Sequence, residues 1–343
     1  MVTTGFGARP DAQPRALGRA PRDPGARPAT ADAPRTLHTT PRCPSRVARS
    51  TRVNRPGATL SMPPISCLQS WMLDLSYRGS DGCLLHVTLV DSASQPASRA
   101  ERPVLLMLHA GGPDHQSLIP LARELADRYT VVLPDVRGYG RSVCVDPSRH
   151  TWAQYASDVI AVLDGLDVSS AIVGGVGLGT TIALRAAIAY PERIRAAVLI
   201  SVEDIEDDDK KAAEIEFLDA FAARARTEGI EAAWAPVLPH FPPIVAALVR
   251  EAIPRADRAS IAAAAAIGRD RSFRSVDELA GLAAPVLVIP GIDERHPTAL
   301  AEQLASLLPR GQLAPVTISV EMHTAEDFAR AFAPTIRAFL STV

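Results

Sequence analysis

Short apolar runs alternate with helical stripes over most of the chain after Leu68. The stretches SWMLDLSYR and CLLHVTLVD flank a polar turn at 79–82 and predict a β-hairpin. Further apolar runs predict strands at 103–109, 130–135, 171–176, 196–201, 285–290 and 314–320. Apolar positions at helical spacing predict the intervening and final helices, at about 115–128, 151–165, 178–190, 297–308 and 324–341.

This alternation stops between residues 203 and 282, where the pattern is helical and rich in alanine and is cut by several prolines. An antiparallel start, alternating strands and helices, and a helical insertion together predict an α/β protein. We expect an open, mostly parallel sheet with helices on both faces. The predicted core comprises 62–202 and 283–343, and the predicted helical cap comprises 203–282.

Residues 1–61 differ from the rest of the chain in composition. They are rich in proline and arginine and lack apolar periodicity, so we expect a disordered tail. An arginine-rich leader suits a transit peptide, but the many prolines oppose an amphipathic helix. We favour an over-extended gene start, with Met62 as the true beginning.

Charge and cysteine content narrow the classes of function. Of 36 basic and 38 acidic residues, eleven Arg and three Asp fall in 1–60, which leaves 25 basic and 35 acidic residues in an acidic body. Such a body lacks the electrostatic footprint of a nucleic-acid-binding protein, and no apolar run is long enough to span a membrane. The four cysteines lack zinc-site or disulfide-framework spacing. We expect a cytoplasmic protein with a small-molecule substrate or ligand, no nucleic-acid or membrane partner, and no metal or cofactor; its oligomeric state is not indicated.

We compare the glycine-rich turn within 171–193 with three known sequence motifs. A dinucleotide fingerprint needs GxGxxG, and neither the frame from Gly174 nor that from Gly175 supplies all three glycines. A Walker A loop needs a lysine, which is absent. A nucleophile elbow needs GxSxG at a strand-to-helix corner. The GVGLG of 175–179 matches every position except the centre, Gly177, and indicates an elbow without its nucleophile.

Four stretches together resemble the α/β-hydrolase family, over residues 68–343. They are the elbow, VLLMLHAGGPDHQSLIPLARELADRYTVVLPDVRGYGRS, AAIAYPERIRAAVLIS and PVLVIPGIDERHPTALAEQLASLLP. The resemblance implies an eight-stranded sheet with a cap after the sixth strand. It also implies hydrolysis of small ester-type substrates. Since the standard serine is missing, we do not expect Ser-His-Asp catalysis, and the alternative is a non-catalytic protein that binds a ligand under the cap.

The resemblance assigns roles to individual positions. Gly111, in the loop after the third strand, and Leu178, just after the elbow centre, would donate their backbone N–H groups to an oxyanion hole. Asp293 matches the acid after the seventh strand, and His323 matches the base after the eighth. Gly177 has no group to attack a carbonyl, although glycine readily adopts the dihedrals of an elbow. Any surviving hydrolysis would need water as the nucleophile.

Two features leave the identity of the base open. Thr324 and Asp327 fit a helix capping box directly after His323, which makes a surface position for that histidine an equal alternative. His296 is also close enough to Asp293 along the chain to pair with it. Five aromatic residues in or near the insertion either line a pocket or form the core of the cap, namely Phe217, Phe221, Trp234, Phe241 and Phe273.

Overall fold

The computed structural model describes residues 71–91, 102–205 and 207–343. The predicted tail at 1–61 lies outside these residues, so its expected disorder stays a prediction. Within the described ranges, no helix combines the length and the apolar character that crossing a membrane would require.

The described residues form one eight-stranded sheet. Its strands are β1 (Trp71–Arg78), β2 (Leu84–Asp91), β3 (Val104–Leu108), β4 (Thr130–Pro134), β5 (Ala171–Val176), β6 (Ile194–Ile200), β7 (Val286–Ile289) and β8 (Gly311–Leu313). Their order across the sheet is β1-β2-β4-β3-β5-β6-β7-β8. The β1–β2 and β2–β4 pairs are antiparallel, and every pair from β4 to β8 is parallel. The predicted hairpin and the predicted fold class are confirmed.

Helices cover both faces of the sheet. The α-helices are α1 (Ile119–Leu125), α2 (Trp152–Gly165), α3 (Leu178–Ala189), α4 (Asp208–Thr227), α5 (Ile230–Trp234), α6 (Pro243–Ala252), α7 (Arg258–Ala264), α8 (Thr298–Leu307) and α9 (Ala325–Leu340). Successive strand side chains point to opposite faces. Leu106 and Leu108 pack in one core with α2, α3 and α8, whereas Leu105 and Met107 pack in a second core with α1 and α9.

The last strand differs from the prediction. The run at 314–320 was expected to be a strand, but β8 ends at Leu313. Pro315 has no N–H to extend the ladder. Ala314 and Ile318 are each 6% exposed and fill the core from an irregular segment, whereas Val320 is 65% exposed. Its apolar character reflects that packing.

The helices α4 to α7 lie in the segment predicted as a cap. This helical insertion contacts a loop at the carboxyl end of β3, because a Cβ built on Gly112 would lie 2.9 Å from both Trp234 and Val249. Parallel sheets place their sites at this edge. The insertion thus bounds the region in which the candidate site was predicted.

Candidate active site

Gly177 forms the corner between β5 and α3. Its backbone has φ +50° and ψ −116°, in the left-handed region that suits glycine. Its amide donates to the carbonyl of Ile200 (3.0 Å), and its carbonyl accepts from both the amide and the hydroxyl of Thr180 (2.7 Å each). These bonds fix the corner at the carboxyl end of the sheet. A residue with a side chain would be strained there by about 1–3 kcal/mol.

Close backbone packing explains the two flanking glycines. A Cβ on Gly175 would overlap the backbone of Gly179. A Cβ on Gly179 would lie 2.5 Å from the carbonyl oxygen of Leu108 in β3. Either substitution would push α3 away from the sheet, so both glycines are required by packing whatever residue stands at the centre.

Asp293 and His296 form a local pair in the loop after β7. The Nδ1 of His296 lies 2.8 Å from Oδ1 of Asp293, and that same oxygen accepts from the amides of Arg295 and His296 (3.0 Å each). Burial works to raise the pKa of Asp293, but the hydrogen bond and charge of His296 outweigh it and hold this pKa below its usual range. Because an ionised carboxylate only accepts, Nδ1 of His296 carries a proton; in the neutral form of the ring, Nε2 is an acceptor.

The free ring nitrogen of His296 faces the elbow. A Cβ built on Gly177 would lie 3.3 Å from Nε2 of His296 and 3.6 Å from Cβ of Ala110. The side chain of His296 is 21% exposed, so solvent reaches the ring. An oxygen atom near the position of the missing Cβ would therefore be within reach of an imidazole acceptor.

His323 lies elsewhere. Its side chain is exposed, and its amide donates to Oδ2 of Asp327 (3.1 Å). Thr324 and Asp327 form the predicted capping box at the start of α9. Among the described residues, no hydrogen bond joins the ring of His323 to Asp293. The structure thus brings His296, and not His323, to Asp293. The capping box at the start of α9 fixes the backbone at His323. His296 follows Asp293 by three positions, so a tight turn brings the two side chains together.

The two predicted oxyanion donors are neighbours. A Cβ built on Gly111 would lie 3.9 Å from Cβ of Leu178 and 3.8 Å from the hydroxyl oxygen of Tyr139. Leu178 is the first residue of α3, where an amide has no partner within the helix. Neither amide donates to another backbone group in the part of the chain that the structure describes. The role of these two amides as an oxyanion hole stays a prediction.

A buried network anchors the loop that carries Gly111. His109 accepts the amide hydrogen of Val136 at Nε2 (2.9 Å) and donates from Nδ1 to the carbonyl of Ala110 (2.8 Å). Burial lowers its pKa and keeps it neutral. Farther along, His115 binds Asp135 through both its amide (3.0 Å) and Nδ1 (2.7 Å). The loop after β3 is therefore held at both ends by residues that follow β4.

Sequence reasoning missed the cluster of His86, His115 and Asp135. Their candidate ligand atoms lie within 4.8 Å of one another, close enough for a metal ion. The carboxylate of Asp135 already accepts four hydrogen bonds, from both rings, from the amide of His115 and from that of Arg141 (2.7–3.0 Å). These bonds use its acceptor capacity and explain the cluster as an anchor. The available signal was a histidine inside an apolar strand and an aspartate at the end of another.

The insertion presents an aromatic wall to the loop after β3. Trp234 packs edge-on against Phe221 (ring centroids 4.8 Å apart) and Phe241 (6.0 Å). Phe273 instead belongs to the main core. A cavity of about 630 Å³ lies between the 147–151 loop and insertion helices, and Gly177 is not among its lining residues.

Comparison with known proteins supports one family. The model described as "Alpha/beta hydrolase family" matches residues 105–331. A 2-(acetamidomethylene)succinate hydrolase from Mesorhizobium japonicum is 30% identical over 153 residues, which cover 43% of this chain. A 2-hydroxymuconate semialdehyde hydrolase from a Pseudomonas species is 34% identical over 105 residues, 28% of this chain. The chain spans only 52% and 35% of the lengths of these two relatives.

A solved structure extends the likeness to the whole fold. A hydrolase from Pseudomonas aeruginosa superposes with a TM-score of 0.65 at 26% identity. The superposition covers 77% of this chain and 97% of the other. A match of this extent supports the assigned fold.

Proposed function

Because the chain belongs to the alpha/beta hydrolase family, we propose that it hydrolyses small ester-type substrates with water as the nucleophile. Residue 177 supplies no attacking group, so the reaction needs an external one. Its relatives named above are hydrolases, which supports the reaction class and leaves the substrate open. A cytoplasmic location, a small-molecule partner and the absence of a cofactor stay predictions.

One observation carries this proposal. Nε2 of His296 lies 3.3 Å from the position that the Cβ of a nucleophile at residue 177 would take. A water molecule that donates a hydrogen bond to Nε2, at van der Waals distance from the Gly177 backbone, would lie beside the predicted oxyanion hole. His296 would take its proton as general base, and Asp293 would hold the ring and stabilise the imidazolium.

The other half of the mechanism is electrostatic. Attack on the carbonyl carbon places negative charge on its oxygen, and the amides of Gly111 and Leu178 would stabilise that charge. The protonated His296 then returns its proton to the departing alkoxide. Oxyanion stabilisation and binding without a serine leave roughly 10³–10⁴-fold catalysis over water in well-studied proteases, which sets the expected scale.

Two matched histidine variants test the proposal. His296→Gln removes the base beside the elbow, and His323→Gln removes the histidine at the start of α9. With p-nitrophenyl acetate, the first variant is expected to lose roughly 100-fold or more of the catalysed rate, whereas the second should match the parent. Thermal unfolding of both variants checks that neither has lost its fold. A full rate in His296→Gln would refute a role for this histidine as base.

The glycine at 177 favours a second candidate function, non-catalytic binding of a carbonyl-containing ligand next to the insertion. A parent protein that does not accelerate ester hydrolysis, yet binds an unreactive ketone analogue in calorimetry, would support this alternative.

A further inference from the structure

We propose that the side chain of Tyr139 supplies a third hydrogen-bond donor to the oxygen that the amides of Gly111 and Leu178 would bind. Its phenolic hydroxyl would donate to the carbonyl oxygen of the substrate alongside the two backbone groups. This inference rests on the proposed function and names one further catalytic residue for it. The same contact would serve the second candidate function, because a bound ketone also presents a carbonyl oxygen.

The hydroxyl of Tyr139 lies beside the loop that carries Gly111. Its oxygen is 3.8 Å from the Cβ position of Gly111, and Cβ of Leu178 is 3.9 Å from that same position. The position marks the side of Gly111 that faces both residues. Donors that each lie about 3 Å from one oxygen can be up to about 6 Å apart. The hydroxyl is therefore close enough to Gly111 to share an oxygen with its amide.

The turn after β4 holds Tyr139 in this place. Its amide donates to the carbonyl of Val136 (2.9 Å), and its carbonyl accepts from the amide of Ser142 (2.9 Å). The ring packs edge-on against the buried ring of His109, with the centroids 5.5 Å apart. Since His109 also bonds to the backbone of the loop after β3, the hydroxyl has a defined position relative to that loop.

The hydroxyl of Tyr139 is a neutral donor. No residue of 71–91, 102–205 or 207–343 forms a hydrogen bond with it, although the side chain is partly buried. A phenol in such surroundings usually has a partner. Burial and the charge of Glu203 raise the pKa of Tyr139, while Arg295 opposes them. The group therefore keeps its proton at neutral pH and can donate it in a hydrogen bond to a ligand.

Kinetics of a single variant test the role of this hydroxyl. Tyr139→Phe removes the hydroxyl and keeps the ring. With p-nitrophenyl acetate, kcat is expected to fall by roughly tenfold or more while KM changes little, because the carbonyl oxygen carries more charge in the transition state than in the substrate. Tyr190→Phe is the matched control, since Tyr190 lies at the end of α3 away from the elbow, and it should keep the kcat of the parent. Thermal unfolding checks that both variants are folded.

Infrared spectroscopy detects the proposed bond without turnover. The probe is 1-(4-nitrophenyl)propan-2-one with a ¹³C carbonyl, in which a methylene group replaces the ester oxygen of p-nitrophenyl acetate. A hydrogen bond weakens the C=O bond, so its stretching frequency should be lower on the parent and on Tyr190→Phe than on Tyr139→Phe. If Tyr139→Phe does not fold, parent protein produced with fluorinated tyrosine takes its place. Fluorine makes the hydroxyl a stronger donor, so the frequency should fall further than in the unlabelled parent, and an unchanged frequency would overturn the inference.

The outcomes separate this inference from the proposed function. A folded Tyr139→Phe variant with the parent's kcat, or with the parent's carbonyl frequency, would overturn the role of Tyr139 and leave hydrolysis standing. A frequency difference without catalysed release of p-nitrophenol by the parent would overturn hydrolysis and support Tyr139 as a donor to a bound carbonyl group. A parent protein that neither hydrolyses the ester nor binds the ketone would overturn both proposals.

Discussion

At the scale of single residues, Gly177 provides the backbone conformation of an elbow without a reactive side chain. Its positive φ and its hydrogen bonds to Ile200 and Thr180 build a strand-to-helix corner, and the residue adds no reactive group. His296 and Asp293 stand ready beside the corner nevertheless. The histidine proposed as the base therefore lies 3.3 Å from the Cβ position of a residue that has no nucleophilic group.

Restoring a serine tests this arrangement. Gly177→Ser would place a hydroxyl close to Nε2 of His296, after the ring shifts by a few tenths of an ångström from its 3.3 Å separation. We expect faster release of p-nitrophenol than in the parent, and covalent labelling by an active-site phosphonate seen by mass spectrometry. Backbone strain should reduce the free energy of unfolding by about 1–3 kcal/mol.

Gly177→Ala is the matched control, because it introduces the same backbone strain without a hydroxyl. A serine variant that folds, resists the phosphonate and shows no gain in rate would mean that His296 is not aligned with the elbow.

At the scale of elements, the loop after β3 depends on the residue that follows β4. Asp135 is fully buried and binds both the amide and the ring of His115. It also accepts from Nδ1 of His86 on β2 (3.0 Å). One carboxylate thus joins three parts of the sheet edge and helps to position the loop of Gly111.

The charge of this cluster makes stability depend on pH. Burial works to raise the pKa of Asp135, but the hydrogen bonds from His115 and His86 outweigh it and hold the pKa well below its usual range. Its contribution is therefore present above the unfolded pKa of about 3.9 and is lost as pH falls below that value. Burial lowers the pKa of His86, but bonds to Asp135 and Asp74 raise it overall. That contribution is full below about pH 6.5 and is lost as pH rises through the folded pKa.

Asp135→Asn should therefore flatten the pH dependence of thermal stability. The substitution removes the charge and turns one acceptor into a donor that faces other donors, at a cost of about 1–3 kcal/mol. Melting temperatures of parent and variant between pH 4 and 8 measure both effects, and the gap should be widest between about pH 4 and 6.5. Parallel melting curves across that range would contradict the assigned role of the carboxylate.

Elements also show what the sequence could predict. Apolar runs and glycine spacing identified the hairpin, the five parallel strands from β3 to β7 and the corner at Gly177, because those features follow from local periodicity. The strand predicted at 314–320 was wrong because Ala314 and Ile318 are buried in an irregular segment after β8. The contacts of Asp135 could not be predicted from local sequence patterns, because His86 lies 49 positions away in the chain. The choice between His296 and His323 depended on loop geometry, which periodicity does not encode.

At the scale of the whole molecule, an ion pair links the insertion to the core beside the Gly111 loop. Arg255 donates from Nε and from an η nitrogen to the two oxygens of Asp114 (2.6 and 2.9 Å). The carboxylate is 4% exposed and the guanidinium 34%. Since Asp114 lies in the loop after β3, this pair couples the position of the insertion to that loop.

Arg255→Leu is therefore expected to destabilise the protein by about 1 kcal/mol, since screening reduces the value of a half-buried charged pair. Urea unfolding measures the change. Arg269→Leu is the matched control, because its bidentate pair with Asp219 is about half exposed (56% and 50%) and should contribute less. Equal effects of the two substitutions would argue against a special role for the Arg255–Asp114 contact.

The turn that joins Asp293 to His296 has a consequence for how the site assembles. A base at 323 would lie thirty positions along the chain from the acid, whereas the observed pair is separated by three. The entropic cost of closing a loop grows with its length, so the shorter connection closes at the smaller cost in free energy. Contact between Asp293 and His296 therefore requires only a short loop to be ordered. Assembly of this pair depends on neighbours in the sequence more than on the completed fold.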